Sequence, residues 1–352
     1  MNRKSFGKTS KGVEAFKYEI ANAKGMKAEL TDFGATMISL LVPDKDGNFR
    51  DVILGYEEVA TYEREGGYLG ATVGRYANRI SDAKITIDGV VYEIEANDNE
   101  NNLHSGSCGT SELFWTVKEH TECLITFECV SKDREQGFPG TATMNVTYEI
   151  TEDNELVISY HAVSDKTTTF NMTNHNYYNL EGQEAGVVYD QTLQINASCY
   201  TPVKSSKAIP TGEIAPVKGT PFDFLTAKPI GKEIKADNEQ LHFVNGYDHN
   251  FAIDKTTEGV ERVATAYCPA SGIKMDVLTD CIGIQLYTGN FIAGKVGKGG
   301  VTYVDNGAYC LETQYFPNAI NEVNFVTPIT KAGEVYETKT IHKFTVELAG
   351  LI

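Results

Sequence analysis

The chain has 352 residues, 41% of them hydrophobic and 22% charged, with a formal net charge of −17. That composition can bury a large core, and a length that would suit two average domains also suits one large all-β domain. The acidity removes the basic footprint that nucleic acids need, sets the chain against anionic membranes and phosphorylated substrates, and serves solubility.

At the start, "MNRKSFGKTSKGVEAFKYEI" has basic residues but no apolar h-region, so no secretory signal is expected. "EEVATYERE" (57–65) reads as a short helix. "AKITIDGVVYEIEA" (83–96) reads as a hairpin: Ile85 and Ile87 alternate with Thr86, Asp88-Gly89 supplies a type I′ turn, and Val91 to Ile94 run back. "LITFECV", "TATMNVTYEI" and "ELVISYHAV" alternate apolar and polar residues and read as strands. "AKPIGKEIKADNEQL" (227–241) is the second helical candidate, and "HKFTVEL" closes the series as a strand. No linker, low-complexity block or fixed-period repeat divides these elements, and no window approaches the ~18 apolar residues of a membrane span. The expected product is one all-β domain over 1–352, of packed antiparallel sheets with few short helices.

Between the strands lie stretches rich in Asn, Gly, Tyr and His: "YANRISDAK", "NDNENNLHSG", "TNHNYYNL", "VNGYDHNF" and "ETQYFPNAINEVN". Read as loops, they suit a polyhydroxylated ligand, with amides, carboxylates and Arg giving directional hydrogen bonds and rings covering its apolar face. His104, His175 and His249 sit in these stretches, whereas His120, His161, His242 and His342 have no distinctive neighbours. No H-x-x-x-H or C-x-x-C pair offers a metal site; the closest histidines, His242 and His249, are seven apart on an expected loop. The seven cysteines are scattered and read as reduced structural thiols in a cytoplasmic protein, with Cys108 the one worth weighing as a nucleophile. Asn145, Asn171 and Asn196 open N-x-S/T sequons, read as coincidence. "GxSxG", P-loop and dinucleotide fingerprints are missing. What remains is acid–base chemistry by His with a carboxylate. Glu312, placed after an apolar strand and before an aromatic stretch, is the carboxylate whose surroundings would raise its pKa; pairing with Arg at a strand edge is the plainer alternative.

Taken together, "GRYANRI", "NNLHSG", "TNHNYYNL", "GYDHNF", "GIQLYTGN" and "ETQYFPNAIN" resemble the motifs of the aldose 1-epimerases, or galactose mutarotases, in the family's order over residues 74 to 321. The resemblance implies a large antiparallel β-supersandwich and cofactor-free interconversion of the α and β anomers of a free aldohexose, galactose or glucose. It implies Glu312 as general base at the C1 hydroxyl, His175 as the acid at the ring oxygen and His104 as the second active-site histidine. Arg79, Asn78, Asp248 and Gln285 match the family's sugar-contacting residues, His249 matches no catalytic position, and no metal is implied. The expected partner is a monosaccharide, without nucleic acid or membrane, bound by a monomer or homodimer. One departure is Ser105, where the family often has glycine; little effect is expected beyond a bearing on specificity. A free His is about a quarter protonated at pH 7, and a neighbouring carboxylate is expected to raise that share. Tyr177 and Tyr178 fit pocket lining or core packing equally well. Two other activities compete: sugar binding without catalysis, and mutarotation of hexose 6-phosphates, which would want more Arg or Lys. A lyase or hydrolase fits less well, since a hydrolase wants a carboxylate pair and only Glu312 stands out.

Overall fold

The computed structural model describes residues 3–347. Met1, Asn2 and Leu348, the last residue of the expected strand "HKFTVEL", lie outside them. Nine strands form the largest sheet, in the order Thr116–His120, Leu124–Ser131, Ala142–Ile150, Glu155–Ser164, Val335–Val346, Ile273–Thr279, Glu261–Tyr267, Thr192–Ile195 and Lys228–Pro229. An N-terminal meander of five strands runs from Arg3 to Asp51. A second five-stranded sheet has the order Ala215–Pro216, Cys199–Thr201, Asp248–Ala252, Gly283–Tyr287 and Cys310–Gln314. The ladders are antiparallel throughout, as the alternation implied.

Period-2 burial explains the packing. Ala142–Ile150 buries Ala142, Met144, Val146, Tyr148 and Ile150, and its partner Glu155–Ser164 buries Leu156, Ile158, Tyr160 and Ala162 opposite them. Those side chains join one core with Ile20, Leu30 and Leu40 of the meander and Phe251, Ile284, Leu286 and Leu311 of the second five-stranded sheet. Each fully buried Leu, Ile or Phe contributes about 1.5–3 kcal/mol relative to exposure. The second five-stranded sheet is therefore anchored by one face, which leaves its other face free for polar residues.

The hairpin at 84–93 forms as expected. Ile87 pairs with Val90, and Asp88 and Gly89 adopt φ of 51° and 75°, the signature of a type I′ turn. A helix covers Val59–Glu65. The second expected helix does not run over 227–241. Lys228–Pro229 is an edge strand, Ile230–Lys232 a 3₁₀ turn, and the helix occupies Glu239–Val244. Pro229 cannot supply an interior helical N–H, and Gly231 lies so close to Tyr189 that a Cβ there would sit 2.4 Å from the tyrosine Cβ. Asn238 then caps the helix, its side chain accepting from the Gln240 N–H. Among the described residues no helix is long and apolar enough to cross a membrane.

His249 and His342 show what the core demands of ionisable groups. Both are buried, His342 has neither ring nitrogen partnered, His249 has Nε2 unpartnered while Nδ1 accepts from the Asp248 N–H, and burial pushes each down to a pKa of about 3. In the unfolded chain each would titrate near 6.5. Below that value the unfolded state therefore binds more protons, so stability is full above about pH 6.5 and is lost progressively as pH falls towards 3. We expect the thermal midpoint to drop on going from pH 7 to pH 5, and His342→Gln, removing one titrating group, to flatten that dependence in melts followed by circular dichroism.

Candidate active site

The Cys310–Gln314 strand shows how the site is made. Cys310, Glu312 and Gln314 point to one face, and Leu311 points to the apolar core on the other. The neighbouring strands do the same. Gln285 lies opposite Glu312 in the ladder, and Asn250 lies opposite Gln285. Ile284, Leu286 and Phe251 take the core side. Asp248 shares the polar face with Asn250, whereas His249 turns inward, 4.6 Å from the Phe222 ring. His249 is a core residue, in agreement with its lack of a catalytic match.

Asp248 and Glu312 thus stand in strands, not in the loops expected for the site, and Gln285 stands in the strand between theirs. The misreading has a physical cause: a strand that lines a polar site lacks the apolar signal that marks strands elsewhere. His175 follows a two-residue bridge strand, Thr173–Asn174, that pairs with Thr72–Val73. Asn78 and His104 come from adjoining turns with positive φ. Ser105 also has positive φ, 70°, where glycine would be strain-free. Its hydroxyl compensates by accepting from the Tyr76 N–H and donating to the Tyr76 carbonyl, at 2.8 and 3.0 Å.

One connected network results. His104, His175 and Glu312 each offer an atom within 4.8 Å of the others. His175 Nε2 lies 3.6 Å from Glu312 Oε1, and Glu312 Oε2 is buried without a partner. The Asn78 N–H donates to His104 Nδ1 at 3.0 Å, and its side-chain amide donates to Gln314 at 3.4 Å. Gln314 donates to Gln285 and Asn250, and Gln285 donates to Asp248 Oδ1 at 2.8 Å. Arg79 Nη1 faces Asp248 Oδ2 at 3.8 Å, while its Nε donates to Asp98 Oδ2 at 2.8 Å. All seven residues singled out in the sequence therefore converge. The arrangement adds Asp98, Asn250, Gln314 and Cys310, whose Sγ is 3.5 Å from His175 Nδ1. Strand parity is the signal that would have found Cys310 and Gln314, each two positions from Glu312.

Aromatic rings enclose the histidines. Tyr68 packs 4.6 Å from His104 and 5.7 Å from His175, and Tyr177 lies 5.1 Å from His175. Tyr177 backs the site and donates to the Gly67 carbonyl, while Tyr178 belongs to the main core. The tyrosine pair thus divides between the two roles left open. Cys108 is exposed, outside this network. A cleft of about 720 Å³ opens elsewhere, between Lys17, Glu19, His120 and Glu152. Its volume does not make it the reactive centre, because the buried, convergent ionisable groups lie at Glu312.

Burial dominates the electrostatics. Desolvation pushes Glu312 well above the usual carboxylate range, with the Asp248 charge adding to it and Arg79 opposing. Asp248 is also raised, by burial first. His104 is held well below 6.5 by burial and by its neighbours His175 and Arg79. His175 is pushed down to about 4 by burial, opposite to the rise expected from a nearby carboxylate. Burial of the ring outweighs everything else, and the same burial disfavours the Glu312 charge that would have opposed it.

Two histidines and a carboxylate could suggest a metal centre. The tautomer of His104 argues otherwise. Because Nδ1 accepts the Asn78 N–H, the neutral ring carries its proton on Nε2 and presents a donor, not a lone pair. As arranged, the set can hold and move protons.

The aldose 1-epimerase family model matches residues 17–343. The chain is 38% identical to galactose mutarotase from Sus scrofa over 347 residues, 98% of this chain and 99% of that one. It is 35% identical to aldose 1-epimerase from Escherichia coli (strain K12), covering 93% of this chain and 94% of that one. An aldose epimerase homologue from C. elegans superposes with a TM-score of 0.88 at 31% identity, covering 95% of this chain and 100% of that one. On sequence and fold alike, the chain belongs to the aldose 1-epimerase family.

Proposed function

We propose that the His104–His175–Glu312 cluster is where this chain interconverts the α and β anomers of a free aldohexose. The activity is that of an isomerase acting on carbohydrate. One observation carries the placement: a buried carboxylate with an unpartnered oxygen faces two buried imidazoles within 4.8 Å, beside a hydrogen-bonding array suited to sugar hydroxyls.

The pair Glu312–His175 holds one proton between its two members. In the reactive form Glu312 is a carboxylate and His175 an imidazolium. Glu312 takes the proton of the C1 hydroxyl, the O–H electrons become the second bond of the C1 carbonyl, and the bond from C1 to the ring oxygen breaks. The ring oxygen takes the proton from His175 Nε2. The products are the open aldehyde, a carboxylic acid and a neutral imidazole, which is the protonation state that burial favours. Rotation about C1–C2 presents the other carbonyl face, and reversing the transfers closes the other anomer. Each positioned acid or base contributes about 10²–10⁴-fold, and holding both against one ring adds to that. His104, with its proton on Nε2, donates to a sugar oxygen as negative charge develops. Arg79, Asn78, Asp248 and Gln285 hold the remaining hydroxyls.

The substrate class is a neutral monosaccharide, galactose or glucose. Arg79 already faces Asp98 and Asp248, which disfavours a hexose 6-phosphate dianion. Core residues from Tyr18 to Phe344 pack into one cluster, which supports reading 1–352 as one domain. The seven cysteines are free, in keeping with a reducing cytoplasmic setting. Polarimetry on freshly dissolved α-D-galactose, α-D-glucose and glucose 6-phosphate tests the assignment. Faster relaxation is expected for one or both free sugars and none for the phosphate; rates equal to the blank for all three would leave a binding module.

A further inference from the structure

Gln314 has no part in the proton transfers above, yet it is 1% exposed and stands two positions from Glu312 on the polar face of one strand. Its amide reaches over the neighbouring strand to Asn250 Oδ1 at 3.2 Å. Gly283, its ladder partner on that strand, leaves the way clear, since a Cβ there would sit 2.6 Å from Asn250 Oδ1. Four side chains then form a hydrogen-bond chain with one direction. Asn78 Nδ2 donates to Gln314 Oε1 at 3.4 Å, Gln314 Nε2 to Gln285 Oε1 at 3.1 Å, and Gln285 Nε2 to Asp248 Oδ1 at 2.8 Å. Both ends fix that direction. Asn78 Oδ1 accepts the Arg79 backbone N–H at 2.9 Å, which leaves its nitrogen for Gln314. Asp248, as a carboxylate, only accepts.

We infer that Gln314 is a positioning residue: by donating to the carbonyls of both Gln285 and Asn250 it keeps their N–H ends for the sugar, so that hydroxyls meet fixed donors beside one fixed acceptor, Asp248. Both hydrogens of its own amide are spent in this way, so neither remains for a ligand. Asn78 and Gln285 each have a second N–H to give, and Asn250 Nδ2 is buried with no protein partner. The gain is preorganisation. A sugar hydroxyl can donate or accept, and so can an amide free to turn over, so a loose amide meets the same hydroxyl in two ways. An amide pinned at its carbonyl meets it in one, and the ordering cost falls on folding rather than on binding. Met at position 314 would fill the space without pinning either carbonyl, and Glu would draw both amides over by their N–H ends. The inference rests on the reading of Asn78, Gln285 and Asp248 as residues that hold the sugar.

Polarimetric kinetics on α-D-galactose and α-D-glucose test it, on whichever the wild type turns over. Gln314→Met is expected to raise KM about tenfold, the worth of one or two lost hydrogen bonds. Its kcat should stay within about threefold, the pattern of binding lost equally from ground and transition states. On a Gln285→Ala background, which already lacks the Gln285 carbonyl, the same substitution should raise KM by no more than about threefold. An unchanged KM in Gln314→Met would overturn the inference. So would a fall in kcat without a rise in KM, which would make Gln314 a support for Glu312. Equal effects of Gln314→Met with and without the Gln285 side chain would also overturn it, since a packing role needs no Gln285. Should Gln314→Met fail to fold, Gln314→Glu, equal in shape, replaces it. Even protonated, Glu donates to only one of the two carbonyls, so the same rise in KM and the same dependence on Gln285 are expected. Wild-type rates equal to the blank for both sugars would instead refute the reading of the site, a different result from an active wild type indifferent to Gln314.

Discussion

Glu312→Gln is expected to lower kcat for anomer interconversion by about 10³-fold or more while the protein melts at or above the wild-type temperature. The rate loss follows from removing the base, with a contribution of about 10²–10⁴-fold for a positioned proton acceptor. The stability follows from burial. Glu312 is 3% exposed, with one oxygen unpartnered and its pKa raised well above the ordinary range. Burial favours its neutral acid form, for which a neutral amide of the same shape substitutes at little cost. Any ionised fraction it does carry is destabilising, since a buried charge without a salt-bridge partner is costly. Polarimetry on α-D-galactose and a thermal melt check both halves. A variant that keeps a near wild-type rate would sink the assignment of the base.

His175→Asn is expected to cost about 10²–10⁴-fold in kcat as well, with the fold intact and KM little changed. The pH profile of the wild type gives a sharper test. The pair works with one proton. As pH falls through the His175 value of about 4, the ring takes a second proton while Glu312 keeps its own, the base is lost and the rate falls. As pH rises through the elevated Glu312 value, the last proton leaves, the acid is lost and the rate falls again. The acid limb of kcat/KM should therefore lie near pH 4, well below the 6.5 of an ordinary histidine. A limb at 6.5 in the free enzyme would contradict the burial that sets these affinities.

Much of this was readable in the chain. The hairpin at 84–93 declared itself through Asp88-Gly89, because few residue pairs accept the φ values of that turn. The long strands of the central sheet declared themselves through alternation over eight to ten residues. The site was legible only as a sum: no one motif distinguishes His175 from a core histidine such as His342, but six motifs in order do. Asp248 was placed in a loop-like stretch but stands in a strand, because strands that line a polar face replace the apolar code with amides and acids. The low proton affinity of His175 could not be read, since it comes from burial, to which Tyr68 and Tyr287 arrive from two distant segments. Asp98 escaped for the same reason, being tied to Arg79 only by the fold. The helix at 227–241 was misplaced because its apolar spacing outweighed Pro229 in the reading, though not in the molecule.

The alternation along Cys310–Gln314 has a consequence for how this protein can change. Core and site are two phases of one five-residue segment. Losing or gaining a single residue there would exchange them, turning Leu311 and Thr313 out to meet the sugar and driving Glu312 into hydrocarbon. Short of a β-bulge there is no intermediate register, so the segment should accept substitutions more readily than length changes. The turns that carry Asn78 and His104, and the two-residue strand opened by Arg79, have no such long phase. Variation in which sugar is preferred should therefore accumulate on that rim, while the strand that carries the base stays fixed in length.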